Sequence, residues 1–318
     1  MKAKPARPGI DRFLSRLLAI APSEAHFERR GFRSTPATPR LESAGAAFIA
    51  GYNEAVGACA PPALLSVLSA FPASDRGFFA EGAAMGAAMR AICVPWRNSL
   101  SPMLVALTES YVHLAHVGVG WAMARLPFAR RRLMSMLDPM LAPLAIDGRG
   151  FHDGYFDSEA VAAGRRRVVG ESGRNYDQGV GRSLWFSQGA DPDRIAAVVE
   201  RLDPGRHEDL WAGVGLACVY AGGADDASVE RLIAKPGPAL RWLRQGAAFA
   251  VGAHARAGVV PPEAAAAARR ICGIEPDALV QLVDDAFAAA SRKDAPQPAR
   301  YQGWRGRVAA ALYPGPAT

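Results

Sequence analysis

Residues 209–223 read DLWAGVGLACVYAGG, an apolar stretch with two glycines, Gly213 and Gly215, in its interior and two more at its end. The stretch predicts a helix that begins near His207 and ends at the glycine pair. A shorter helix precedes it, with Asp191 as its capping residue, and stops at residues 203–205 (DPG). Two helices joined by so short a loop form an αα-hairpin.

The same pattern, a glycine a few residues into an apolar helical stretch, recurs along the chain. It occurs at Gly45, Gly82, Gly118, Gly154, Gly179, Gly213 and Gly246, with separations of 37, 36, 36, 25, 34 and 33 residues. A repeat of about 34 residues is typical of one helix–turn–helix unit. The sequence therefore predicts an all-α protein of repeated αα-hairpins, arranged as an α-solenoid or an α/α ring.

These glycines need a packing reason, because glycine inside a helix is about 1 kcal/mol less stable than alanine. A small residue follows four positions later in every case except Gly45, where Ile49 stands. Residues four apart share a face, so we expect stacked helices to approach closely along this stripe. The alternative, that the Gly-x-Gly pairs are phosphate-binding turns, lacks the strand that should precede each turn.

The chain divides into an N-terminal arm with an amphipathic helix, residues 1–30, and a single helical-repeat domain, residues 31–318. The segment between Gly154 and Gly179 is shorter than the other repeats and basic. We expect an irregular connection there in place of a full outer helix. It is either a surface excursion or a lid over a site.

Composition excludes several classes of protein. The net charge is +7, but the arginine triplets at residues 130–132 and 165–167 carry no aromatic interleaving, so nucleic acid is not an expected partner. The four cysteines stand far apart in apolar surroundings, which indicates reduced thiols in a cytoplasmic protein. No stretch reaches the roughly 18 to 20 uninterrupted apolar residues of a membrane span.

Alignment on the glycines places polar side chains near the starts of several inner helices. The residues that we predict to carry acid–base chemistry are Asp153, Asp177, His152, His116 and Glu81. Those that we predict to bind a substrate are Gln178, Arg182, Trp185, Trp211 and Gln245. Equivalent helix ends of a curved array face one cavity, where burial and neighbouring charges shift pKa values. The structural alternative is that these groups cap helices, or pair as Asp177 with Arg182.

A metal site is a weaker interpretation. His113 and His116 share a helical face and could ligate a metal with carboxylates from elsewhere. Followed by His152-Asp153 and Asp177, they give an order similar to that of helical metal-dependent phosphohydrolases, but the spacing and surroundings differ. The sequence has no P-loop and no G-x-S-x-G elbow. We therefore predict neither a metal nor a cofactor.

Several stretches together resemble a bacterial domain family of unknown function that is found beside enediyne polyketide genes and described as enediyne biosynthesis proteins. They are GFRS with the following Leu41-Glu42, AFIAGYNEAV, FFAEGAAM, VGVGWAMARL, DGRGFHDGYF, YDQGVGRSLWF, DLWAGVGLACVYAGG and Tyr301-Gln-Gly-Trp304-Arg305. The resemblance covers residues 31–305. It implies a cytoplasmic accessory protein of specialised metabolism, with no catalytic residues to carry over.

These observations favour a protein that binds a hydrophobic, polyketide- or isoprenoid-like small molecule. One hypothesis is a cofactor-independent cyclase or isomerase that uses acid–base residues in an apolar cavity. The other is a non-catalytic binding or scaffold protein for a biosynthetic intermediate, a partner biosynthetic enzyme or a second copy of the chain. Convergence of Glu81, Asp153 and Asp177 on one cavity would favour the enzyme.

Overall fold

A computed structural model describes residues 8–57, 60–291 and 299–313, and every regular element in these ranges is helical. The α-helices are α1 (Pro8–Leu18), α2 (Phe27–Arg30), α3 (Thr38–Val56), α4 (Pro61–Ala70), α5 (Ala73–Cys93), α6 (Leu100–Arg125), α7 (Arg130–Met134), α8 (Pro143–Phe156), α9 (Ser158–Ala162), α10 (Glu171–Ser187), α11 (Pro192–Glu200), α12 (His207–Ala221), α13 (Asp226–Ile233), α14 (Leu240–Arg256), α15 (Pro262–Cys272), α16 (Pro276–Ala290) and α17 (Ala299–Ala311). The all-α prediction is confirmed.

Seven helices form an inner row, in which each packs on the next: α3, α5, α6, α8, α10, α12 and α14. Shorter helices join many of them on the outside, as expected for a helical repeat. Neighbours in the row run parallel, since Gly82 lies against Phe48 and Gly86, one turn later, lies against Tyr52.

Glycine allows the inner helices to touch backbone to backbone. A Cβ atom on Gly213 would stand 1.9 Å from the carbonyl oxygen of Gln178 in the preceding helix. A Cβ atom on Gly215 would stand 2.0 Å from the carbonyl oxygen of Leu243 in the following helix. The first glycine of the Gly-x-Gly pair thus admits the helix before it, and the second admits the helix after it. Both lie inside α12, which supports the packing interpretation over a phosphate-binding turn.

The structure corrects the register of two repeats. In α8 the glycine that meets the preceding helix is Gly148, whose Cβ would stand 2.0 Å from the Val117 oxygen, while Gly154 faces the side chain of Ser183. In α3 the backbone contact is made by Gly51, and Gly45 faces only Ala25. The glycines that meet the preceding helix are Gly82, Gly118, Gly148, Gly179, Gly213 and Gly246, and their separations vary from 30 to 36 residues.

The inner row curls so that α3 contacts α12, and α6 contacts α14. Arg40 on α3 donates from Nε to the carbonyl oxygen of Ala221 at 2.8 Å. Thr35 donates a hydrogen bond of 2.8 Å to the carbonyl oxygen of Gly189. Helix α17 packs on α14 and α16 with Trp304 and Arg305 buried.

The N-terminal residues from Pro8 onward lie on the domain. Asp11 in α1 accepts a hydrogen bond of 2.8 Å from Arg90 in α5, and Leu14 is buried. Between Gly154 and Gly179 the expected irregular connection contains only the five-residue helix α9. The predicted cap at Asp191 is confirmed, because its carboxylate accepts from the amides of Asp193 and Arg194.

Two composition-based expectations meet the structure with different results. No helix among the described residues is long and apolar enough to cross a membrane. Cys218 and Cys272 are buried, but Cys93 is exposed, so the expectation of core thiols holds for only part of the set. Cys59 lies outside the described residues.

Candidate functional site

The inner row turns one face of each helix toward a common axis. In α10 this face carries four side chains. Asn175 and Gln178 stand four residues and one residue before Gly179, and Arg182 and Phe186 stand three and seven residues after it. Such a spacing puts side chains on one helical face. The same four positions of the other inner helices supply many of the residues around two cavities, which we call cavity A and cavity B.

Cavity A has a volume of about 350 Å³ and lies between the N-terminal segment and helices α3, α5, α6, α8 and α10. Its walls are largely aromatic: Phe48, Phe78, Trp121, Phe151, Tyr155 and Phe186. The volume is at the small end of the range of ligand pockets. Glu81 and Arg182 are the charged residues at its buried end.

Cavity B has a volume of about 280 Å³ and lies among α6, α8, α10, α12, α14, α16 and α17. Its walls are mostly aliphatic, with Val117, Leu144, Leu216 and Val283 among them. His113 also lines it, and burial followed by the charge of Arg256 lowers the pKa of this imidazole to about 3.

Arg182 borders both cavities and holds a buried group of polar side chains. Its Nη1 donates to Oδ1 of Asp147 at 2.5 Å, and its Nη2 lies 3.6 Å from Oε2 of Glu81. Gln178 donates from Nε2 to Oδ2 of Asp147 at 2.8 Å. Trp121 donates from Nε1 to Oε1 of Glu81 at 2.8 Å. We call these five residues the axial ion cluster.

Two members of the axial ion cluster, Glu81 and Gln178, each have a buried side-chain oxygen without a hydrogen bond from the described residues. Of these two, Glu81 is the ionisable residue, and it lines cavity A. Its Oε2 is buried and has no hydrogen-bond partner among the described residues. Burial raises the pKa of Glu81 to about 7, against the opposing charge of Arg182 and the hydrogen bond from Trp121. A carboxyl group with such a pKa can both give and take a proton near neutral pH.

Asp147 was not predicted from the sequence, and the wrong register of α8 explains why. Glu81, Asp147, Gln178 and Gln245 each stand immediately before the glycine that meets the preceding helix. Alignment on Gly154 put Asp153 in this position instead of Asp147. The three glycines of GRGFHDG at Gly148, Gly150 and Gly154 were the available signal, since only the first two repeat the Gly-x-Gly spacing.

Asp153 is buried away from both cavities. Its Oδ2 accepts from the hydroxyl of Tyr176 at 3.0 Å, and its Oδ1 lies 3.3 Å from Nδ1 of His152. Burial raises the pKa of Asp153, but the hydrogen bonds from His152 and Tyr176 and the charge of Arg166 outweigh it, so the pKa lies below its ordinary value. The structure does not bring Asp153 and His152 together with Glu81.

Asp177 pairs with Arg206, whose Nη2 lies 2.7 Å from its Oδ1, so the suggested Asp177–Arg182 pair is wrong. Burial raises the pKa of Asp177 despite that hydrogen bond. His116 is buried, and its Nδ1 contacts the Val112 carbonyl oxygen at 2.7 Å. Asp177 and His116 each stand two residues before the glycine that meets the preceding helix. They therefore lie about 100° around the helix from the position immediately before that glycine, which Glu81, Asp147 and Gln178 occupy.

The remaining predicted binding residues divide between the axial ion cluster and the core. Gln178 and Arg182 belong to the cluster. Trp185 is buried and donates from Nε1 to the Gly222 carbonyl oxygen at 2.9 Å, and Trp211 is buried in the core without lining either cavity.

Gln245 faces helix α17 instead of a cavity. Its Oε1 accepts from Nε of Arg305 at 3.3 Å. The guanidinium of Arg305 is completely buried and lies 2.8 Å from Oδ1 of Asp209. We call Asp209, Gln245 and Arg305 the terminal ion cluster.

The described residues contain no group of three or more histidine, cysteine, aspartate or glutamate side chains placed to hold a metal. His113 faces the ring of Trp304 at a centroid distance of 5.9 Å, which is a packing contact.

The chain matches a known protein-family model. The model of a family described as "protein of unknown function (DUF1702)" matches residues 10–312. The chain belongs to this family. The DUF1702 match includes every helix of the inner row and both ion clusters. No match was found among curated proteins, and none among solved structures.

Proposed function

We propose that this DUF1702 protein binds a hydrophobic small molecule in cavity A and that Glu81 exchanges a proton with it. The observation that carries the proposal is the buried Oε2 of Glu81 at the inner end of an aromatic cavity, which accepts no hydrogen bond from the described residues and has the Arg182 guanidinium 3.6 Å away. A buried oxygen without a hydrogen bond is unfavourable, so a ligand that donates to it gains free energy on binding.

The chemistry that fits best is a cofactor-independent isomerisation or cyclisation. Protonated Glu81 gives its proton to one carbon of a double bond, and the resulting carboxylate takes a proton from a neighbouring carbon. Protons and electrons balance without an oxidant or a reductant. The faces of Trp121 and Phe151 can stabilise the positive charge that develops between the two transfers.

The substrate class follows from the resemblance to enediyne-associated proteins together with the apolar walls. We propose a polyketide- or isoprenoid-like molecule and an accessory role in specialised metabolism. The cytoplasmic location and association with a second copy or a partner biosynthetic enzyme stay predictions from the sequence.

A non-catalytic binding or scaffold protein is the second candidate. It is favoured by the hydrogen bond from Trp121 and the nearby charge of Arg182, which hold the Glu81 carboxyl in place. A carboxyl group fixed in this way can accept a hydrogen bond from a ligand hydroxyl without transferring a proton.

Binding is tested with Nile red, a neutral hydrophobic dye, and two matched cavity-filling variants. Ile49 lines cavity A and Ala253 lines cavity B. We expect Ile49→Trp to abolish the fluorescence increase of bound dye, and Ala253→Trp to keep it, with both variants retaining cooperative thermal unfolding. Dye binding that survives Ile49→Trp at full strength contradicts the assignment to cavity A.

Catalysis is tested in a producing host that carries the gene. Glu81→Gln keeps the shape of the side chain and removes its titration, so we expect the downstream product to fall at least tenfold. Asp153→Asn and Asp177→Asn are the matched controls, since both carboxylates lie outside the cavities. Unchanged products with Glu81→Gln at equal protein levels would leave binding as the proposed function and reject proton transfer.

A further inference from the structure

Cavity A is polarised from its inner end to its mouth. Glu81 and Arg182 at the inner end are buried, while Phe156 at the other end is 40% exposed. Two arginines, Arg30 and Arg125, line this exposed end. Arg125 stands four residues, or one helical turn, after Trp121, the residue that bonds to Glu81.

The arginines at the mouth carry more positive charge than their neighbours neutralise. Arg30 pairs with Glu24, which also lines cavity A and pairs with the more exposed Arg29, so Glu24 neutralises one of the two arginine charges that line this end. Arg125 makes no ion pair with any described residue, and its guanidinium lies 5.9 Å from the ring centre of Phe156. The guanidinium of Arg30 lies 4.9 Å from the same ring.

This arrangement fixes the polarity of a ligand. An anionic group at the inner end would meet the Glu81 carboxyl, and the cation there, Arg182, is already paired with Glu81 and Asp147. Like charges at short distance repel strongly in a buried site. At the mouth the same group meets two guanidinium groups, which bind a carboxylate through charge-assisted hydrogen bonds. Phe156 between them provides an apolar surface for the first carbons of a chain.

We propose that cavity A takes an amphiphile, with its apolar chain against the aromatic walls and a terminal carboxylate between Arg30 and Arg125. The inference rests on the proposed binding function and specifies its ligand class. The chain end opposite the carboxylate then reaches Glu81.

The test uses displacement of Nile red from the full-length protein by decanoate and by decanol, which differ in the terminal group. We expect decanoate to displace the dye at a concentration at least tenfold lower than decanol. Arg125→Gln should remove most of this difference, while Arg132→Gln, an exposed arginine outside both cavities, should preserve it. Raising the salt concentration should weaken displacement by decanoate and not by decanol.

Equal displacement by the acid and the alcohol, or by neither while the dye still binds in cavity A, overturns the carboxylate assignment and leaves the proposed binding function standing. Failure of Nile red to bind at all counts against the proposed function itself. An unchanged preference for decanoate in both Arg125→Gln and Arg30→Gln also overturns the inference.

Discussion

Cavity A and cavity B are built on the same row of helices and share Arg182, yet they offer different chemistry. In cavity B both oxygens of Asp147 are bonded, one to Arg182 and one to Gln178. In cavity A one oxygen of Glu81 is bonded to Trp121, and the other has no hydrogen bond. The walls differ in degree, with seven phenylalanine, tyrosine and tryptophan side chains around cavity A and four around cavity B.

One residue in the next helix accounts for this difference. Glu81 and Asp147 occupy equivalent positions, each just before a glycine that touches its neighbour. The equivalent residue of the helix after α8 is Gln178, which can donate a hydrogen bond, whereas that of the helix after α5 is Val117, which cannot. Glu81, which has one oxygen without a hydrogen bond beside a cavity, is therefore the candidate reactive group, and Asp147, whose two oxygens are both bonded, is the structural one.

Removal of the shared arginine should have the largest effect. Arg182→Met leaves the buried carboxylates of Glu81 and Asp147 without their common counter-ion, and breaking a buried pair typically lowers stability by about 3–5 kcal/mol. We expect this loss in the free energy of unfolding measured with urea at neutral pH. Arg182→Lys keeps the charge and should lose less. A loss below about 1 kcal/mol in the methionine variant would contradict a stabilising role for the cluster.

The cavity-B side can be disturbed through the backbone. A Cβ atom on Gly179 would stand 1.9 Å from the carbonyl oxygen of Asp147, so Gly179→Ala forces α8 and α10 apart. We expect thermal unfolding to show a loss of about 1–3 kcal/mol, as for other overpacked cores. Gly306→Ala is the matched control in α17, where a Cβ atom meets nothing within 4 Å. It should be neutral or stabilise by up to about 1 kcal/mol.

The smallest expected effect is a pH dependence of stability that arises from Glu81 in cavity A. Burial raises the pKa of Glu81 from its ordinary 4.5 to about 7. The folded protein therefore binds the Glu81 proton more tightly than the unfolded chain does. The contribution of this proton to the free energy of unfolding is fully present below pH 4.5 and is lost as the pH rises through 7. Glu81→Gln lacks this loss. The stability of wild type relative to this variant should fall by on the order of 2 kcal/mol between pH 5 and pH 8.

That comparison is made by urea unfolding of wild type and Glu81→Gln across the pH range. Glu54→Gln, at an exposed position of α3, is the control and should follow the wild-type curve. Parallel curves for wild type and Glu81→Gln would show that Glu81 does not titrate differently in the folded protein.

The fold was predictable because a glycine inside a helix marks close packing against another helix, and the regular spacing of these glycines indicates a helical repeat. The class of fold, the close approach of helices and the cap at Asp191 all followed from local patterns. The register in α8 did not, because three glycines stand within seven residues and Gly154 continues the 36-residue spacing from Gly118, although it leaves only 25 residues to Gly179 where Gly148 leaves 31.

The candidate site was predicted in part. Glu81, Gln178 and Arg182 meet at the axis, as expected of residues at equivalent positions. Asp177 and Arg182 are five residues apart, about 140° around the helix, so helical geometry already opposed their pairing. The partnership of Asp177 with Arg206 depends on how α10 packs against the start of α12, which no local pattern encodes.

The bonds between the start of the row and its later helices have a consequence for how the chain can vary. Repeat proteins commonly gain or lose units, because each unit contacts only its neighbours. Here Arg40 bonds to Ala221 and Thr35 bonds to Gly189 across more than 150 residues of sequence. Insertion or deletion of one hairpin between these pairs would separate both at once. A change in the number of hairpins between residues 40 and 189 would therefore have to break or rebuild both contacts.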